Sequence, residues 1–507
     1  MFITSAGWCI ISRSEISTSN PKSEPINVKN RIIEMIIEEL GAGRYNLSRP
    51  KIPKYNPAKA YRFYILKNDG GKKKRVAVVK AYRYPDKEKY LNKIFDSDSI
   101  QDGNGLYEYT LLSLITIHSK EKITPTIYGY VPEWDAVIME NVFSTSEGDA
   151  EEESLISRIS KICTDFLGLP EKKSCFKTYE DVFIDIKKRF LKGEDLTEKQ
   201  SIKRHEGLKR QAELDCIGDE IIRGHPNVLR QPVTPEVYGL KLMENIKRYL
   251  VKCNQADARR RIKDEEKQIS MGGKLSLQRL ISEIGSEYLK NFSVGGETID
   301  LSSIIENLTK AFSEFIFSNE KIESRRYFNQ IDAGPQNMTT HKNPIIFDFD
   351  EARQEYLVTD AIPWLKTPLQ NIPEDTVIDD LIKYIDWRVA NTKGAGKGRN
   401  YYQDIVNFYL LNIVSDIRMI GIISRDDFLR STIRREYVEK DKGIYSYKNL
   451  MRWYKTDLLH TMTRIQQKDI QKYLFEKERG SQHIFNELFG IINILKLNMP
   501  EYEGLEK

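Results

Sequence analysis

Two runs rich in β-branched and aromatic residues, 60–66 (AYRFYIL) and 75–82 (RVAVVKAY), flank Asn68-Asp69-Gly70-Gly71. Glycines after an Asn-Asp pair supply the backbone angles a tight turn needs, and apolar runs on both sides read as a β-hairpin. A helical pattern, 31–40 (RIIEMIIEEL), precedes it and stops at Gly41. Residues 106–118 (LYEYTLLSLITIH) read as a second helix, and 126–130 and 136–139 as short strands parted by a Pro/Glu/Trp turn. The front of the chain is therefore β-rich.

The rest is mainly helical. Residues 151–167 carry Leu155, Ile156, Ile159, Ile162, Cys163 and Phe166 on one face, open with acids and are followed by Gly168. Residues 301–317 form another strong helical pattern, and 326–331 and 344–349 are short strand-like pieces. From 375 onward the pattern is helical, with Ile405, Phe408, Leu411, Ile413 and Ile417 as expected core. Strands and helices that segregate along the chain argue an α+β fold.

With 507 residues, two or three units are expected. Hydrophobic residues at 40% and aromatics at 10% suffice for a packed core and argue against disorder. No apolar run approaches the roughly 18 residues needed to span a bilayer, and residues 1–11 lack the basic lead and cleavage site of a signal peptide. A cytoplasmic, membrane-free protein is expected. The net charge of +5 does not call for a nucleic-acid partner. Residues 170–275 are dense in Lys and Arg, which reads as a solvated helical face, with RNA binding as the competing reading. Five scattered cysteines without a CxxC pair read as free thiols. Six histidines without metal-ligand spacing argue against zinc.

The segment that carries chemistry runs from Asp332-Ala-Gly-Pro-Gln-Asn337 to Phe347-Asp348-Phe349-Asp350-Glu351, with Asp348 eleven residues after Asn337. Phosphoryl transfer is mostly positioning and charge neutralisation. It needs a carboxylate at the attacking hydroxyl, an oxygen ligand for magnesium a few residues on, and a second carboxylate that holds the metal against the phosphates. A D-x-x-P-x-N loop followed by a short apolar strand ending in Asp supplies all three.

This segment resembles the catalytic loop and metal motif of the protein kinase-like superfamily, closest to its aminoglycoside/choline kinase branch. The family loop runs H-x-D-x-x-x-x-N, and Asp332, Pro335 and Asn337 fall on its positions. Asp348-Phe349-Asp350 matches the small-molecule-kinase form of the metal motif. Gln330 stands where the family has His, and Gly334 where protein kinases carry Lys. The resemblance implies a two-lobed fold that uses ATP and Mg²⁺. Asp332 is then the catalytic base, and Asn337, Asp348 and Asp350 hold the metal.

The front of the chain fits the same resemblance. Val76-Ala-Val-Val-Lys80 is similar to the V-A-I-K strand whose Lys grips the phosphates. Glu108 is the partner a buried Lys requires. Residues 138–142 (IMENV) fall at the hinge that meets adenine through its backbone, which brings in Glu140 and Val142. Residues 40–46 (LGAGRYN) resemble the glycine-rich loop, with Gly41 and Gly43 letting amides approach phosphates. The same glycines also read as a helix stop. Lys80 follows Gly41 by 39 residues, with residues 47–59 as an extra loop. Residues 394–399 (GAGKGR) lack Walker spacing and read as a flexible basic loop.

The expected organisation is an N-terminal arm (1–29), a nucleotide-binding lobe (30–142), a helical insertion (143–300) and a catalytic lobe (301–507). The expected activity is transfer of the γ-phosphate of ATP to an unidentified hydroxyl acceptor, a small molecule by the form of the motif. A pseudokinase scaffold that binds nucleotide or a protein partner without transfer is the alternative.

Overall fold

The computed structural model describes residues 2–4, 7–9, 25–48, 60–83, 103–142, 186–269, 277–306, 327–366, 374–390, 401–433 and 447–465, with short gaps inside some spans. The helix expected at 151–167, most of that at 301–317, and the loop at 394–399 lie outside the described residues. Helices and antiparallel sheets are mixed along the chain. Internal contacts divide it into two units. The first comprises Met1–Val182, Ile217–Leu229 and Gly334–Ala352, and the second Phe183–Cys216, Arg230–Ala333 and Arg353–Lys507.

The first unit is built on a five-stranded antiparallel sheet. Its strands are β1 (Arg44–Leu47), β2 (Tyr61–Asp69), β3 (Lys72–Ala81), β4 (Ile127–Val131) and β5 (Ala136–Glu140), in the order β1-β2-β3-β5-β4. The β2–β3 hairpin turns at Gly70 (φ 55°) and Gly71 (φ 88°), as the Asn-Asp-Gly-Gly signal requires. Alternation puts Phe63, Ile65, Ala77, Val79 and Ile138 in one core with Val28, Ile32 and Ile36 of helix α1 (Pro25–Leu40). Phe63 stacks on Trp134 with ring centres 5.3 Å apart. Full burial of one such isoleucine contributes about 1.5–3 kcal/mol. α1 stops where Gly41, at φ 82°, donates its N–H to the Ile37 carbonyl at 2.9 Å.

Helix α2 (Asn104–His118) is anchored at its start by a residue remote in sequence. The Asp135 carboxylate accepts the N–H groups of Gly103 (3.1 Å), Gly105 (3.0 Å) and Leu106 (3.0 Å), an anion on the positive helix end. Position 105 must be glycine, because a Cβ there would lie 2.0 Å from the Asp135 carbonyl oxygen. Tyr130 donates its hydroxyl to the same carboxylate at 2.8 Å.

The strand expected at 344–349 is only a bridge, Met338 with Ile346. Asp348, two residues on, takes φ 73°, outside the extended region.

The second unit is helical. It holds most of α3 (Glu198–Gly224), with α4 (Pro235–Cys253), α5 (Gln255–Ile269), α6 (Leu277–Lys290), α7 (Glu374–Val389), α8 (Tyr402–Ile433) and α9 (Tyr447–Ile465). α8 packs on α4 and α9, and α4 on α6. Ile405, Phe408, Leu411, Ile413 and Ile417 are buried, as their spacing foretells. α3 is joined to α7 by the buried pair Arg204–Asp380 at 2.8 Å. A two-stranded ribbon, β6 (Tyr327–Asn329) with β7 (Arg353–Glu355), carries the chain to residue 330. In the basic stretch, Arg260 pairs with Asp257 and Arg261 with Glu287, each at 2.7 Å, which is an ion-paired solvated face. Cys216 and Cys253 are free thiols. Among the described residues, no helix is long and apolar enough to cross a membrane.

Candidate active site

In the first unit, Lys80 lies on β3 and points away from the α1 core. Its Nζ lies 3.2 Å from Glu108 Oε1 and 3.1 Å from Oε2, forms a short contact with Asp348, and stands 3.7 Å from Asp350 Oδ2. Residues 80, 108, 348 and 350 thus converge around one ammonium. Burial alone would lower the Lys80 pKa. The surrounding carboxylates, Asp348 foremost and then Glu108 and Asp350, outweigh it and raise the pKa above the usual lysine range. Glu108 is fully buried, and burial raises its pKa against the opposing pull of Lys80. Its oxygens also accept the Phe349 N–H at 3.1 Å and the Tyr82 hydroxyl at 2.8 Å. Glu108 therefore holds the lysine and the backbone beside Asp348 together.

Tyr82 was missed from sequence. A partial signal exists, since it follows Lys80 by two residues on an extended run. Its hydroxyl pKa is raised by burial and then by Glu108.

Asn337 closes a single 3₁₀ turn, Pro335–Asn337, and its carbonyl accepts the Phe347 N–H at 3.0 Å. That pairing sets Asn337 across from the residue before Asp348. Among the described residues, no three His, Cys, Asp or Glu side chains form a ready metal cage. The donor set nonetheless suits magnesium, which takes one or two carboxylates and completes its shell with phosphate and water oxygens. Three carboxylates around the Lys80 ammonium, with Arg62 Nη2 3.9 Å from Asp348, leave negative charge that a divalent cation would offset.

Gly41 is the left-handed stop of α1, and Gly43 leads into β1. Neither lies between two paired strands. The helix-stop reading of Gly41 is seen in its φ of 82° and its N–H bond to Ile37. Glu140 ends β5. Its N–H donates to the Thr126 carbonyl at 2.8 Å, and its carboxylate bonds Lys122 at 2.5 Å. The Asn141 N–H donates to the Val76 carbonyl at 3.1 Å. These amides are committed to the sheet. Val142, partly exposed, follows them.

Asp332 belongs to the second unit, on the loop that leaves β6. Asp360 accepts the N–H of Gln330 at 2.5 Å and of Ile331 at 3.0 Å. Ile331 sits at φ 72°, a conformation β-branched residues avoid. Arg388 of α7 donates to the Leu357 carbonyl at 2.6 Å and to the Phe328 carbonyl. It also donates to the Tyr384 hydroxyl at 3.1 Å, and Tyr384 in turn donates to Asp215 of α3. These bonds of Asp360 and Asp215 carry no local sequence signal, because their partners, two backbone amides and the Tyr384 hydroxyl, are distant in the chain; Arg388 likewise meets two distant carbonyls besides its neighbour Tyr384. Burial, and then Asp215, raise the Asp360 pKa against the pull of Arg388.

No protein-family model matches the chain, and no curated protein matches it. Among solved structures, the chain is similar to the crystal structure of spectinomycin phosphotransferase APH(9)-Ia in complex with ADP and spectinomycin. The likeness covers 85% of this chain and 98% of that one, at 12% identity and a TM-score of 0.35. Similarity at that level is too loose to decide fold or activity.

Proposed function

We propose that the protein is an ATP-dependent phosphotransferase that moves the γ-phosphate of ATP to a hydroxyl acceptor, a small molecule, in the cytoplasm. The observation that carries this reading is Lys80 held between Glu108 and Asp348, residues 28 and 268 positions away in the chain. A buried lysine ringed by carboxylates stays charged and fixed in place, as a phosphate grip requires.

On this reading Lys80 binds the nucleotide phosphates and Glu108 fixes its direction. Asn337, Asp348 and Asp350 hold Mg²⁺, which offsets the charge of the transferred phosphoryl group. Asp332 orients the acceptor hydroxyl and takes its proton. Residues 138–142 border the base. The division into an arm (1–29), a nucleotide-binding lobe (30–142), an insertion (143–300) and a catalytic lobe (301–507) of a two-lobed kinase-like fold belongs to the same proposal.

The test is transfer of label from γ-labelled ATP across a panel of hydroxylated acceptors. Wild type should label at least one acceptor, and Asp332→Asn and Asp348→Asn should lose at least about 10²-fold, the scale of a removed catalytic group. Equal labelling by both variants would defeat the reading. A nucleotide-binding scaffold without transfer is the second reading, favoured by the placement of Gly41 and Gly43 before β1. A nucleotide-dependent rise in melting temperature with no labelled acceptor would select it.

A further inference from the structure

We infer that Arg62 is a second phosphate-binding cation, placed beside Lys80 to take the charge that a glycine-rich turn would otherwise take through its amides. This rests on the nucleotide-binding reading above and extends it to a residue outside the motif.

Arg62 pairs in register with Lys80 across β2 and β3. Directly paired residues of an antiparallel ladder point to the same face, so both cations leave the sheet on the side opposite α1. Val137 pairs with Lys80 and Met139 with Val78 on the neighbouring strand, which adds an apolar surface beside the two charges. Arg62 Nη2 lies 3.9 Å from Asp348 Oδ2, beside the carboxylate whose Oδ1 Lys80 touches.

The two cations differ in what they have left to give. The Lys80 side chain is 8% exposed, and three carboxylates surround its three N–H donors. The Arg62 side chain is 51% exposed, and its ion pair with Asp348 at 3.9 Å is beyond hydrogen-bond reach. A guanidinium carries five donors in a planar fork that suits two phosphate oxygens at once.

The sequence between β1 and β2 supplies the reason for a second cation. Residues 48–60 (SRPKIPKYNPAKA) contain no glycine and three prolines, Pro50, Pro53 and Pro57. Proline has no N–H, and a Cβ keeps backbone from close approach. A segment of this composition is poorly suited to cradle phosphates through amides, and side-chain charge is the remaining means.

The test is calorimetric titration of the full-length chain with ATP, ADP and adenosine in magnesium buffer, for wild type, Arg62→Gln, Arg62→Lys and Lys80→Met. Arg62→Gln should weaken ATP by about 10- to 100-fold, the scale of lost charged hydrogen bonds. It should leave adenosine affinity unchanged, and Arg62→Lys should recover part of the loss. The ATP affinity of Arg62→Gln should also fall less steeply with salt than that of wild type. Wild-type ATP affinity in Arg62→Gln, with Lys80→Met impaired, would overturn the inference and leave the nucleotide-binding reading intact. An equal loss for adenosine would mean that Arg62 only supports the fold, and would overturn it too. Absence of nucleotide binding by wild type would bring down both.

Discussion

Asp360 holds Ile331 in a left-handed conformation, through a 3.0 Å hydrogen bond from the Ile331 N–H, one residue before Asp332. Such an angle costs about 1–3 kcal/mol and persists only where surrounding contacts enforce it. Asp360→Ala removes the acceptor for two amides. The expected result is a fall in kcat of about 10²-fold, as for a small displacement of a catalytic group, with a KM for ATP within about 2-fold of wild type. Steady-state kinetics separates the two constants. A change in KM for ATP with kcat intact would contradict a positioning role.

The Lys80 pKa is raised on folding. Its stabilising contribution is therefore fully present below the unfolded-state pKa, near 10.5, and is lost as pH rises from there toward the folded value. Over that window the folded form binds more protons, and stability should decline by up to about 1.4 kcal/mol per pH unit. Urea unfolding from pH 9 to 12 should show this alkaline decline in wild type and a shallower one in Lys80→Met. Parallel curves would mean that Lys80 is not the group responsible.

His460 on α9 behaves in the opposite sense. Burial first, then Arg464, pushes its pKa down to about 4. The unfolded chain takes up a proton near pH 6.5 that the folded chain refuses until about 4. Stability is present above 6.5 and should fall as the pH drops toward 4. Histidine-to-glutamine substitution at 460 should flatten this acid limb of a denaturant-midpoint profile. An unchanged limb would assign it to carboxylates instead.

Lys366 is buried in contact with Asp416, and Asp457 joins the same cluster. Burial raises the pKa of both carboxyls, and for Asp416 the next cause is Asp457. Stability from these raised groups is greatest below the unfolded carboxyl pKa and is lost as pH rises through the folded values. Asp416→Asn should therefore be near neutral or stabilising at pH 7. Lys366→Met, which strands two carboxyls, should cost about 3–5 kcal/mol. Chemical denaturation of the two variants measures both, and a larger loss for Asp416→Asn would reverse the assignment.

The sequence by itself determined the local elements and the order of the polar groups. Glycines 70 and 71 fixed a hairpin because only they take its turn angles cheaply. Isoleucines 32 and 36 fixed the buried face of α1, and the alternation around Lys80 fixed the side from which it leaves the sheet. The Glu108–Lys80 pair was legible in sequence, but tertiary structure alone decided that Glu108 also takes the Tyr82 hydroxyl and the Phe349 N–H, that Asp135 anchors α2, and that Asp360 holds the loop before Asp332. Tertiary structure also placed Gly41 at the left-handed end of α1, one of the two readings its composition allowed. The physical reason is common to these cases. Periodicity records which side a residue faces, whereas a buried charge or backbone amide takes its partner from whatever distant segment folding brings within about 3 Å.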